Sequence, residues 1–127
     1  RRNNKFELRH SGYDREMNVP FLSGCFMFLR VSALKSEGIF DERFFMYMED
    51  VDLTRRLHAK HKTLFYPSVS IYHRFSRLSY HKWKLSLAQM ASVVKYFNKW
   101  GWIYDSSRRR FNKTLLKELK QQTKDED

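Results

Sequence analysis

Trp83, Leu87, Met90, Val94 and Phe97 are spaced 4, 3, 4 and 3 residues apart. Apolar residues at that interval fall on one side of an α-helix, so the stretch is read as an amphipathic helix ended by Gly101. A second helix is expected over about 107–122, with Phe111, Leu115, Leu116 and Leu119 on one face. Such a stripe must be covered by something. Packing against the rest of the domain is the first reading. A membrane surface is the second, because Lys82, Lys84, Lys95 and Lys99 accompany Trp83, Trp100 and Trp102.

Before residue 79 the pattern differs: short apolar runs are broken by turn residues. Residues 1–18 are polar and read as loop, with a short strand at 5–9. Residues 24–30 are apolar with two aromatics and read as a buried strand. Residues 31–37 form a short helix, for which Gly38 is a suitable cap. A helix over about 49–60 has an acidic first turn and a basic end, in agreement with the helix dipole. Residues 63–66 and 69–73 read as strands broken at Pro67, with His73 sharing a face with Val69 and Ile71. The fold class is therefore α/β: a mixed sheet with flanking helices over 1–79, followed by a basic amphipathic helical tail over 80–127.

The chain has 127 residues, enough for one domain, and 42% hydrophobic residues exclude a disordered one. It opens on Arg1 rather than Met, and it is read as a portion of something longer. No apolar run approaches the roughly 18 residues of a membrane span, and no signal-peptide pattern opens the chain. A single cysteine, Cys25, excludes an internal disulfide; it is read as a small buried residue and fits a reducing compartment. Net charge is +11. Residues 19–73 hold 7 basic and 6 acidic side chains, whereas residues 74–127 hold 13 and 5. The excess belongs to the tail and suggests an anionic partner, either nucleic acid or a membrane surface. No zinc pattern, ribonucleoprotein motif or helix-turn-helix accompanies it, so nucleic acid is the weaker choice.

Three carboxylates open the acidic helix. With 100° of turn per residue, Leu53 and Leu57 mark its inward face. Asp50 then lies about 40° from the centre of that face, Glu49 about 60° and Asp52 about 120°. Asp50 is thus the carboxylate nearest the apolar side, where a general base would sit beside substrate, partly withdrawn from water. Asp52 has Arg55 and Arg56 at i+3 and i+4, a surface ion-pair arrangement. First-turn acids are also common as plain helix caps, and a lone His73 on an apolar face is usually structural unless carboxylates approach it.

The order of the segments carries a resemblance. Ser23-Gly24-Cys25-Phe26-Met27-Phe28-Leu29-Arg30 looks like the small-Gly-apolar-Arg strand of family 2 inverting glycosyltransferases. Residues 38–45 resemble that family's G-x-F-D-E-x-F-F stretch, and residues 47–56 its F/Y-x-E-D-x-D-L-x-x-R element. Pro67, His73 and Ser79 resemble its closing P…H…S element. The nearest subgroup is rhamnosyltransferase-like enzymes of bacterial surface polysaccharide synthesis.

The resemblance implies a GT-A-like fold, of which the chain would be the C-terminal, acceptor-side half. It implies sugar transfer with inversion from a nucleotide-sugar donor to a saccharide or lipid-linked acceptor. Asp50 would be the general base, supported by Glu49, Asp52 and Arg56, with Arg56 paired to Asp52. Ser23, Gly24 and Arg30 would lie on the acceptor side. His73 would help to hold a divalent cation, Mg or Mn, on the donor diphosphate, most of that site lying in the absent first half. The place would be cytoplasmic, peripheral to the inner membrane. Departures exist: Lys60-His61-Lys62 stands where the family commonly has Gly, and the tail matches nothing specific. Rival readings are a basic nucleic-acid-binding module and a non-catalytic interaction module, the latter because a half-domain exposes apolar surface. Uncovered sheet edges would also favour a homo-oligomer.

Overall fold

A computed structural model describes residues 8–73 and 83–124. These form four α-helices: α1 (Val31–Glu37), α2 (Glu49–His58), α3 (Trp83–Trp100) and α4 (Ser106–Lys124). A 3-10 turn, Arg9–Ser11, precedes β1 (Met17–Asn18), which pairs antiparallel with β2 (Leu64–Phe65). Met17 stands opposite Phe65 and Asn18 opposite Leu64. The architecture is helix-rich mixed α and β. In place of the broader mixed sheet that was expected, the described residues hold this one short ladder.

Local chemistry sets the helix ends. α1 closes at Gly38, whose φ of 81° suits a residue without a Cβ and whose N–H reaches the Leu34 carbonyl at 2.8 Å. α2 carries Glu49, Asp50 and Asp52 in its first turn and Arg55, Arg56 and His58 in its last, matching charge to the dipole at both ends. α4 is capped by Asp105, whose Oδ1 accepts the Arg108 N–H at 2.9 Å.

One core lies between the ladder and α4. Met17, Val19, Leu115 and Leu119 are buried together, with Leu8, Leu22 and Phe65 against them. Burying each large apolar side chain is worth about 1.5–3 kcal/mol. Thr63 extends the ladder: the Val19 N–H donates to its carbonyl at 2.9 Å, and its own N–H donates to Asn18 Oδ1 at 2.9 Å. His58 Nδ1 lies 2.6 Å from the Thr63 hydroxyl, and the His58 ring meets Phe111 edge-on at 4.8 Å. These contacts bind α2 and α4 to the ladder.

Several expectations need correction. Residues 24–30 form no strand; they run over the surface with Phe28 96% exposed, and Cys25 is exposed rather than buried. Residues 69–73 form no strand either, and Val69, Ile71 and His73 are all exposed. Both segments have suitable β-forming residues, but a strand exists only where a neighbour completes its hydrogen bonds. The expected strand at 5–9 falls partly outside the described residues, and residues 8–11 form a turn instead. The 79/80 boundary, Ser79 and Lys82 lie outside the described residues.

The α3 stripe points the other way from the first reading. Trp83, Leu87, Met90 and Val94 are exposed, while Ser92 and Tyr96 on the opposite side are buried. Charged groups on α2 set this rotation. A buried ion left without a partner costs more than an exposed aliphatic side chain, so α3 turns its hydrogen-bonding side inward. On α4, Phe111, Leu115 and Leu119 are buried as the pattern indicated, and Leu116 is exposed.

Candidate active site

The acidic run is placed by backbone on one side and by the C-terminal helices on the other. Tyr47 and Met48, just before α2, both have left-handed backbone, with φ of 63° and 68°. Such geometry costs roughly 1–2 kcal/mol per non-glycine residue and is held only where the surroundings fix it. It swings the chain so that Asp50 faces the turn at 23–24. The Gly24 N–H donates to Asp50 Oδ2 at 2.8 Å, and the Val51 N–H donates to Oδ1 at 2.8 Å. A Cβ on Gly24 would lie 3.1 Å from the Asp50 Cβ and 3.3 Å from Oδ2. A side chain there would make the Asp50 carboxylate or the turn give by a few tenths of an ångström. The two segments are 26 residues apart in sequence, so the bond is a tertiary contact between two of the four resembling elements.

Glu49 is the neighbouring carboxylate. Its Oε2 is buried without a hydrogen-bond partner among the described residues. Burial pushes its pKa up, and the negative charge of Asp50 adds to the rise.

Asp52 differs from its expected place on the surface. It is fully buried. Its Oδ1 accepts from Trp100 Nε1 and Lys99 Nζ, both at 2.7 Å, and its Oδ2 accepts from Arg56 Nε at 2.9 Å. The ideal-helix reckoning gave α2 one inward face, but α3 covers a second. Arg56 also binds the chain before the helix: it donates to the carbonyls of Glu37, Gly38 (3.3 Å) and Ile39 (2.6 Å). Lys99 reaches Asp41 Oδ2 at 2.8 Å, so one ammonium joins two carboxylates. Asp41 in turn holds Arg43, with Oδ2 2.6 Å from Nη2. Arg43 and then Lys99 hold the Asp41 carboxyl well below the usual range.

Arg55 forms a second buried link. Its Nη1 and Nη2 donate to Asp105 Oδ2 and Oδ1 at 2.7 and 2.5 Å, and Nη1 lies 3.2 Å from the Tyr96 hydroxyl. The guanidinium also stacks 4.0 Å over the Trp100 ring. Asp105 was not singled out from the sequence; Arg55 was read as a surface partner of Asp52, Lys99 and Trp100 as companions of the α3 stripe, and Asp41 only as part of the 38–45 element. The one local signal was Asp105 at a helix start.

The other candidates stand apart. Ser23 and Cys25 are exposed beside Gly24, with Ser23 Oγ 3.2 Å from Cys25 Sγ. Arg30 is exposed at the N-cap of α1. Among the described residues no hydrogen bond or ion pair joins Arg30 or His73 to α2. Among them, too, no three His, Cys, Asp or Glu side chains gather to hold a metal, so His73 has no companion ligands there. No described helix is long and apolar enough to cross a membrane.

No family model matches the chain, and no solved structure matches it. Two curated proteins do match in part. Both are N-acetylglucosaminyl-diphospho-decaprenol L-rhamnosyltransferases, from two strains of Mycobacterium tuberculosis. Each is 48% identical over 59 residues, which is 46% of this chain and 19% of the relative. The matched stretch thus spans about a fifth of the length of those relatives, and this part of the chain is similar to a segment of a glycosyltransferase.

Proposed function

We propose that the chain is an acceptor-side portion of an inverting glycosyltransferase and that Asp50 is its general base. The 2.8 Å bond from the Gly24 N–H to Asp50 Oδ2 carries this reading, because it brings the small-Gly turn and the acidic element to one place. An ionised carboxylate has about four acceptor directions. Two are taken by the Gly24 and Val51 N–H groups, which fix the carboxylate's orientation. Among the described residues no further bond to the carboxylate occupies the others, which leaves them open to accept a proton.

The step is one displacement. The acceptor O–H proton passes to Asp50 while that oxygen bonds to the anomeric carbon of the donor sugar. The bond from that carbon to the donor diphosphate breaks, and configuration inverts. Arg56 and Asp52 hold the helix that carries Asp50, Glu49 stands beside it, and Ser23, Gly24 and Arg30 line the acceptor side. A nucleotide-sugar donor and a lipid-linked saccharide acceptor fit the partial likeness to proteins named for rhamnosyl transfer to a diphospho-decaprenol sugar. The reading extends to surface polysaccharide synthesis at the cytoplasmic side of the membrane. It also includes a Mg or Mn ion with His73 as one ligand, although the described residues offer no companions.

The test is sugar transfer to a lipid-linked acceptor with and without Asp50→Asn. General-base loss costs about 10²–10⁴-fold in turnover, with acceptor binding retained. A folded variant that turns over within a few-fold of the original removes Asp50 from this role.

A further inference from the structure

We infer that the outward face of α3 is a docking surface for an anionic lipid bilayer. The inference deepens the reading of a lipid-linked acceptor and rests on it for its biological sense, but its test needs no turnover. Trp83, Leu87, Met90 and Val94 are 70%, 53%, 65% and 45% exposed. Phe97 continues the row, and Trp102 stacks on it with ring centroids 5.1 Å apart. The row from 83 to 97 is about 21 Å long. No described helix is long and apolar enough to cross a membrane, so the geometry is that of a helix lying in the interface plane.

Charge selects the occupant. Exposed Lys84 and Lys95 lie about 100–120° from the centre of the stripe, along its flank. Residues 83–124 hold ten basic side chains and two acidic ones, and Asp105 is already paired with Arg55. A second copy of a chain with net charge +11 would meet like charge across this face, whereas an anionic lipid surface meets opposite charge. Tryptophans at the edges of an apolar face suit the headgroup boundary. The same helix sends Lys99 and Trp100 to Asp52 on α2, so docking α3 would set the height of Asp50 above the lipid surface. An acceptor whose sugar is tethered to lipid presents its hydroxyl at that boundary.

The test is sedimentation of the chain with vesicles of phosphatidylcholine, with and without phosphatidylglycerol. The chain is expected to bind the phosphatidylglycerol vesicles, and Met90→Glu with Val94→Glu should weaken partitioning at least tenfold. Both positions are exposed, so the circular dichroism spectrum should be unchanged. Lys84→Glu with Lys95→Glu should weaken binding to the anionic vesicles alone. Brominated lipid should quench emission that Trp83→Phe and Trp102→Phe remove. Equal binding by the Met90/Val94 variant would overturn the proposal, as would absence of vesicle binding. So would a dimer that this variant dissociates, since a second copy would then cover the face. None of these failures touches Asp50, which the transfer assay tests separately.

Discussion

Arg55 and Asp105 face each other across fifty residues of sequence in a two-pronged ion pair, with both side chains almost wholly buried. The pair fastens the acidic helix to the linker between α3 and α4. Together with the Asp52–Lys99 contact it makes the C-terminal helices part of the support for the candidate site.

Breaking one side of this pair should be costly. Arg55→Met leaves Asp105 buried beside an apolar group, and Asp105→Asn leaves the guanidinium short of charge. Each should lower stability by about 3–5 kcal/mol in urea unfolding. Arg55→Met combined with Asp105→Leu should recover much of that loss, because desolvation of both charges disappears together. Single variants within about 0.5 kcal/mol of the parent would show that the pair does not fasten the helix.

Acid should loosen the same support. Burial alone would raise the Asp105 pKa, but the Arg55 hydrogen bond and the Arg108 N–H outweigh it, and the net shift is downward from 3.8. Asp41 is also lowered from 3.8, by Arg43 and then Lys99. A carboxyl lowered in the folded state adds stability above its unfolded value and loses it as pH falls through the folded value. The melting temperature should therefore drop as pH falls below about 4, and Asp41→Asn should flatten part of that drop. A melting temperature flat from pH 6 to 3 would contradict the assignment.

The sequence made the helices legible because each carries its own periodic stripe and end signals. α1, α2, α3 and α4 lie close to where spacing placed them. Strands were less legible, since Val69 and Ile71 have the right chemistry but no neighbouring strand among the described residues. The direction of the α3 stripe was hidden for a related reason. Periodicity locates an apolar face, but Lys99 and Trp100 turned the other face inward by meeting Asp52, a partner nearly fifty residues away. Asp52 was misjudged through the same contact. Asp50 came from its helix face and from motif order, Gly24 from motif order alone, and no periodicity or propensity joins the two.

Gly24→Ala should separate site geometry from stability. The new Cβ would sit 3.1 Å from the Asp50 Cβ, so the Asp50 side chain or the turn must shift by a few tenths of an ångström. The turn is exposed, so the stability change should stay near about 1 kcal/mol, at the low end of overpacking. Turnover should fall by about tenfold or more, since small misplacements of a reacting group are expensive, while donor affinity should hold. A variant with normal turnover would mean that the Gly24 contact does not position Asp50.

Glu49→Gln should move stability in the opposite sense from the Asp105 changes. Burial raises the Glu49 pKa above its ordinary 4.5, and Asp50 adds to the rise. A carboxyl raised in the folded state favours folding only while protonated, and that contribution is lost as pH rises through the folded value. At pH 7 the ionised side chain therefore opposes folding, with Oε2 buried and unpartnered among the described residues. Glutamine removes the charge and keeps the shape. The variant should melt above the parent at pH 7, and the gap should close as pH falls below about 4.5. A variant that melts lower at pH 7 would mean that the Glu49 carboxylate has a partner which stabilises its charged form.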